Sequence, residues 1–352
     1  MNNGEVTQAA AKPVAGVNYP SRQNSITTSQ RGSTPKSVVS GIWRTNIIAI
    51  YLMLAIACSY YAAIEEKTFL SVGEIDGFTA QVNYVNLMFD LGNDLFDLEP
   101  LLWIHAARAL VANTFVAIED TFGVGFSSFL ILLLFVPVLK VFAELRGGFL
   151  VFAIPLAAVI FSPRATLAMV AVAYLVVYIL KGKPLFYLTI SLILSNLSSG
   201  MVFNNLIIAA LLAKNHRPKS AGLFLYLVFL VISLVVSVSD KFVGFTEQRE
   251  GYTATVQGLG GVGAIISRST IVVAFQEGDF VQFGAYLGLA LIALTLLFVA
   301  FRNRQYRGYV VILLSAIPSA LVEGLGFISL IVPVLLLMAG QPLKFRPDRP
   351  ND

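Results

Sequence analysis

From residue 46 onward the chain is a series of apolar runs separated by short polar breaks. Runs at 46–63, 122–142, 149–161, 165–180, 223–238 and 283–301 carry almost no charge. Two longer runs, 184–213 and 309–338, have room to go out and back. Runs approaching ~20 apolar residues predict membrane helices, because only a helix or a closed barrel pairs its own backbone in lipid. The pattern predicts an all-α, polytopic helical membrane protein with about ten transmembrane or re-entrant helices, several of them short. The first 45 residues differ in kind. SRQNSITTSQRGSTPKS is polar and without periodicity, which predicts a disordered cytoplasmic tail at 1–45. The membrane domain is expected at 46–340, with a basic cytoplasmic tail at 341–352.

Composition agrees. Hydrophobic residues make up 57% of the chain and charged residues 12%, with a mean hydropathy of +0.78; a soluble chain carries about 25% charged residues. The net charge of +4 comes from residues spread through short loops, which argues against a nucleic-acid partner. The single cysteine, Cys58, allows no internal disulfide and no cysteine metal site. Its position in the first apolar run predicts a small buried residue.

Charge sets the expected topology. Arg22, Arg31, Lys36 and Arg44 precede the first run, and Glu65, Glu66, Glu74 and Asp76 follow it. The positive-inside rule places the N-terminus in the cytoplasm. Alternating the later runs puts eighteen of the 24 basic residues inside and 16 of the 20 acids outside, with the C-terminus also inside. Six basic residues break the rule: Lys67, Arg108, Arg164, Lys241, Arg249 and Arg268. Lys67 and Lys241 adjoin acids and read as solvated charges. The four arginines are candidates for binding, since ionisable groups at membrane depth tend to be functional.

Two outer segments, 64–121 and 239–282, exceed plain connections. The first contains FDLGNDLFDLEPLLWIHAARALVANTF, where acids lead into an apolar stretch bearing Trp103, His105 and Arg108. An interfacial or re-entrant helix fits, with Pro100 near its first turn. His105 and Arg108, three apart, share a face; anchoring at the interface together with Trp103 is the plainer alternative. The second segment holds Arg249, Tyr252 and Arg268, and its Gly258, Gly260 and Gly263 satisfy G-x-G-x-x-G. No strand precedes them, so a dinucleotide site is rejected in favour of a loop that bends and re-enters. LSNLSSGMVFNN, with Asn196 at its start, is either a polar site between two half-helices or a set of helix-to-helix hydrogen bonds. Glu323 reads as a turn.

FSPRATLAM combines two oddities. Ser162 and Pro163 are a cap and a first-position proline, so Arg164 lies in the first turn, where the helix dipole disfavours a cation. By charge it is also on the outer side. A bound anion resolves both, as phosphate meets free N–H groups and a guanidinium together; an internal carboxylate such as Glu99 is the other partner. Lipid pyrophosphates are the anions available at an outer face.

LFDLEPLLWI, SPRATLAMVAVAYLV and SNLSSGMVF together resemble the bacterial oligosaccharide repeat-unit polymerases, the Wzy-type and EpsG-like membrane glycosyltransferases. The likeness covers roughly 90–213, and SNLSSGMVF lacks the histidine those families carry there. The resemblance implies a bundle like the C-type membrane glycosyltransferases in a bacterial inner membrane. It also implies an undecaprenyl-pyrophosphate-linked oligosaccharide as substrate and a chain-length regulator or other assembly proteins as partners. The product would be an exopolysaccharide, capsule or O-antigen chain. On that reading Glu99 or Asp97 is the base and Arg164 stabilises the leaving pyrophosphate. Arg108, His105, Arg249, Arg268, Trp103, Tyr252 and Asn196 bind substrate. No cofactor is expected, and no D-x-D motif marks a metal. A transporter of lipid-linked sugars or solutes, or a non-catalytic subunit of an export complex, is the alternative.

Overall fold

The computed structural model describes residues 36–70, 77–92, 94, 103–143, 152–182, 184–216, 221–246, 272, 274–275, 278–315, 317–318 and 327–344. The chain divides into two units, Met1–Gly41 and Ile42–Asp352, and the helical bundle belongs to the second. Every regular element among the described residues is helical. In chain order they are α1 (Lys36–Ile64), α2 (Gly77–Asp90), α3 (Trp103–Phe122), α4 (Val124–Leu133), α5 (Val136–Ala143) and α6 (Ala153–Ile160). Then come α7 (Pro163–Lys181), α8 (Leu185–Ser195), α9 (Ser199–His216), α10 (Ala221–Thr246) and α11 (Phe280–Arg302). A 3-10 turn (Arg304–Tyr306), α12 (Arg307–Leu314) and α13 (Ile331–Met338) complete the order.

Four helical segments are long and apolar enough to cross a membrane: Asn46–Ile64, Pro163–Lys181, Ala221–Ser239 and Phe280–Arg302. All four coincide with predicted runs. The first helix starts earlier than expected, at Lys36, so the tail predicted as disordered to residue 45 gives up its last ten residues. Proline removes a helical N–H and is tolerated only near a helix start. Pro35 is followed by a stretch free of proline, and helix begins there.

The bundle is organised around α7, whose residues 163–179 are all buried. It packs against α4, α5, α6, α8, α9 and α13. A helix that is apolar all round belongs in a core or in lipid, and Ala165, Ala168, Ala171 and Ala173 let the neighbours come close. α10 and α11 are the opposite case. α11 fully buries only Tyr286, Ala293 and Ala300, a line seven residues apart, half-buries neighbours such as Phe283, Leu289 and Leu297, and turns most of its other apolar side chains outward.

The predicted span at 122–142 is broken. α3 ends at Phe122, Gly123 turns the chain with φ of 91°, and α4 begins. A second break falls at Leu134 and Phe135, between α4 and α5. Pro137 is its cause, because proline lacks the N–H that would reach Leu133 and its ring crowds that carbonyl. The N–H groups of Val138 and Leu139 bond Phe135 instead. Two tyrosines then serve the exposed carbonyls: Tyr174 of α7 donates to Leu134 at 2.7 Å, and Tyr51 of α1 donates to Leu132 at 3.0 Å.

At the other end the segment after α13 straps the bundle. Gly308 N–H donates to the Leu343 carbonyl and Leu343 N–H to the Gln305 carbonyl, both at 2.8 Å. The Asn215 side chain pairs with Lys344 through both backbone groups, at 2.8 and 3.0 Å. A Cβ on Gly308 would stand 2.6 Å from Leu343 Cγ and 2.7 Å from its carbonyl oxygen. Gly308→Ala is therefore expected to displace the strap at a cost of ~1–3 kcal/mol, the range for overpacking. Faster hydrogen exchange at Leu343 would report it, and unchanged exchange would refute it.

Candidate functional site

Helix α2 assembles the site, although it carries no recognisable motif. Its apolar face is Phe78, Val82 and Val85, all buried, spaced four and three apart. Phe78 and Gln81 are neighbours one turn apart on this helix. The Arg164 guanidinium lies over the Phe78 ring, 4.8 Å from its centroid, an attraction of the cation to the ring face. Phe78 in turn meets Phe69 edge-on at 6.4 Å, and Phe69 stacks on Phe115 of α3 at 4.9 Å. Gln81 accepts from Arg108 Nη1 at 2.7 Å. Two arginines 56 positions apart in the chain thus converge on one face of α2.

Arg108 is 1% exposed and Arg164 8%. Arg108 Nε donates to the Asn196 carbonyl at 2.7 Å, which ties α3 to the α8–α9 turn. Its Nη1 also meets His105 Nδ1 at 3.3 Å. A guanidinium has no acceptor, so any hydrogen bond at this contact runs from Arg108 to Nδ1. The predicted shared face of His105 and Arg108 is real, and it points into protein: His105 is buried. Trp103 stays at the exposed start of α3.

Arg164 occupies the first turn of α7, as its neighbours predict. Ser162 takes the cap position, but its side chain makes no capping bond. Its carbonyl instead accepts from Ala165 and Thr166 N–H. Lys67, expected to be solvated, donates to the last carbonyls of α6, Val159 and Ile160. A cation at a helix C-terminus is favourable, and this one secures the corner that delivers Arg164. Burial lowers the Lys67 pKa, against the raising effect of Asp279 and Glu65.

The polar run after α8 is used mostly for helix-to-helix bonding. Asn196 donates through Nδ2 to the Leu192 carbonyl at 2.7 Å, and its Oδ1 accepts from Ser233 of α10. Each Asn196 side-chain atom thus has an internal partner, where substrate contact was expected. Asn205 donates to Ser195, and Ser191 pairs with the Tyr226 hydroxyl at 3.0 Å. Asn204 bonds Ser329 and Ser315, each at 3.1 Å. Ser198 Oγ and Asn205 Oδ1 are buried without a hydrogen-bond partner among the described residues. Glu99, Asp97, Arg249, Arg268 and Tyr252, and the glycine loop with them, lie outside the described residues, as does Glu323. Among the described residues no group of three or more His, Cys, Asp or Glu forms a metal site.

No family model matches this chain, and neither does any curated protein or solved structure. The site itself is the guide to its chemistry. Two buried guanidiniums on one helix face concentrate positive charge, which suits an anionic group, although Arg108 already commits Nε and Nη1 to protein partners.

Glu119, at the far end of α3, supports the same corner. Its carboxylate accepts from Phe69 N–H at 2.9 Å and from Ser127 Oγ at 2.7 Å. Partial burial raises its pKa, more than these two bonds lower it. A raised folded value means its stabilising contribution is full in acid and is lost as pH climbs. The loss should begin at about pH 4.5, the ordinary value, and end above the folded pKa. Glu119→Gln should remove that slope from thermal midpoints measured in detergent; an unchanged slope would assign it to another group.

Proposed function

We propose that this chain is a membrane glycosyltransferase that polymerises lipid-pyrophosphate-linked oligosaccharide repeat units. It works at the outer face of a bacterial inner membrane, with about ten crossings or re-entrant helices and both termini in the cytoplasm. The observation that carries this reading is the convergence of Arg108 and Arg164 on the Phe78–Gln81 face of α2. Buried cations are costly and mark function in membranes, and two of them match the two phosphates of an undecaprenyl pyrophosphate.

In the reaction, a hydroxyl of the incoming repeat unit attacks the anomeric carbon of the growing chain. The bond from that carbon to the pyrophosphate oxygen breaks, and the lipid pyrophosphate leaves with the electron pair. Glu99 or Asp97 takes the hydroxyl proton. Arg164 and Arg108 hold the departing anion where its charge grows, and no cofactor takes part. Arg249, Arg268, Tyr252 and Trp103 are assigned to binding the sugars, and a chain-length regulator is the expected partner.

A second reading rests on α8, only eleven residues long and ending in a buried polar turn. Short broken helices of this kind also build transporters. One assay separates the two. Arg164→Ala and Arg164→Lys are expressed to normal membrane levels and the lipid-linked glycan is sized. A polymerase gives single-repeat products with alanine. Substrate held on the cytoplasmic leaflet means transport, and long chains from the alanine variant reject both roles for Arg164.

A further inference from the structure

A shallow groove of about 440 Å³ runs between α11 and α12, lined by Leu294, Leu297, Phe298, Phe301, Val310 and Leu314. It is apolar throughout, and its volume falls in the ~300–1,000 Å³ range of small-molecule sites. Apolar surface facing lipid is ordinary; the feature that sets this groove apart is the charge at its end. RNRQYR begins at the last residue of α11 and places Arg302, Arg304 and Arg307 within six residues, all exposed. The Arg302 guanidinium lies 4.5 Å from the centroid of Phe298, a groove residue. Among the described residues, no carboxylate pairs with any of the three.

The corner bearing these arginines is built rather than loose. The Asn303 side chain accepts from Gln305 N–H at 3.2 Å, which caps the 3-10 turn. Leu343 bonds Gln305 and Gly308 from behind. Arg304 and Arg307 are three apart across a 3-10 turn, whose side chains eclipse at that spacing. Both flank the turn that joins α11 to α12, the two helices that form the groove, while Arg302 is the one seated against a groove residue.

We propose that this groove binds an anionic phospholipid of the cytoplasmic leaflet. One acyl chain lies along Leu294, Leu297, Phe298 and Leu314, and the head-group phosphate is held by the three arginines. The site lies apart from the α2 face. It depends on the chain sitting in a bilayer with RNRQYR on the cytoplasmic side, as the positive-inside rule places it, and not on the sugar chemistry, so it stands or falls separately from the polymerase.

The test uses the full chain in phosphatidylcholine nanodiscs doped with a diazirine-labelled phosphatidylglycerol or, separately, the same label on phosphatidylcholine. Crosslinked peptides are mapped. Labelling at 294–301 and 310–314 should favour phosphatidylglycerol, and labelling of the exposed α10 face at Phe229 and Ile232 should not. Each arginine changed to glutamine should cut that preference by roughly fivefold. Leu314→Trp, which fills the groove and leaves the arginines, should lower labelling there with both lipids. Equal labelling by the two lipids would overturn the proposal, as would a preference that survives loss of all three arginines. Crosslinks from this face to a second copy of the chain, with lipid excluded, would overturn it too.

Discussion

On the proposed polymerase function, Arg164→Ala is expected to leave the protein in the membrane and lower glycan polymerisation by ~10²–10³-fold, the usual cost of removing one preorganised transition-state donor. The side chain sits at the positive end of α7, where a cation gains nothing from its own helix. Alanine there relieves an unfavourable interaction, so normal accumulation is part of the prediction. Lysine keeps the charge but presents a single point of contact and lacks a flat face for the Phe78 ring. It should recover only a small part of the activity. Phe78→Leu tests positioning alone: it keeps the bulk and removes the ring, a loss of about 0.5–2 kcal/mol. It should weaken turnover several-fold with Arg164 intact. If Arg164 and Arg108 grip one ligand, their combined loss will be far less than the product of the single losses. Multiplying effects would mean two separate sites.

Arg108→Met should be the most destabilising single change, by about 3–5 kcal/mol, as when one partner of a buried charged contact is removed. Methionine fills similar volume but leaves the Asn196 carbonyl and Gln81 Oε1 without their donor. A large drop in thermal midpoint in detergent is the readout. Arg108→Lys reaches one acceptor and should recover part of it. The double variant with Gln81→Leu should show a coupling of ~0.5–3 kcal/mol with Arg108→Met. Exposed Trp103, one turn earlier on α3, provides the contrast: its replacement should change stability by under ~0.5 kcal/mol. If the two positions respond alike, the Arg108 contacts contribute nothing to the fold.

The sequence pattern located the four long apolar helices well, and it could not rank them. The segment at 163–181 has the lowest mean hydropathy of the four, 1.8, yet 94% of it is buried; Phe280–Arg302 reaches 2.3 with 11% buried. The reason is physical. Lipid and protein interior are equally apolar, so hydrophobicity does not distinguish an inside helix from an outside one. The repeated alanines of α7 were the available signal. Arg108 and Arg164 stood out as charges against the topology and His105 by its three-residue spacing from Arg108, and all three are buried. α2 was missed because it lies in a segment read as an outer loop; the four-and-three spacing of Phe78, Val82 and Val85 would have revealed it. Lys67 was misread because neighbouring acids suggested solvent, whereas its partners are carbonyls 92 and 93 residues away. No local pattern encodes such a pairing.

The break at Pro137 also has a consequence for how the chain is made. The Leu132 carbonyl finds Tyr51, already synthesised, but the Leu134 carbonyl depends on Tyr174, forty residues downstream. Until α7 emerges, that carbonyl faces lipid or competes for water, at a cost of several kcal/mol. The α4–α5 pair should therefore hold a shallow, water-accessible position during biogenesis and settle only when the helix carrying Arg164 arrives. Arrival of the central helix and burial of the broken span would then be one event.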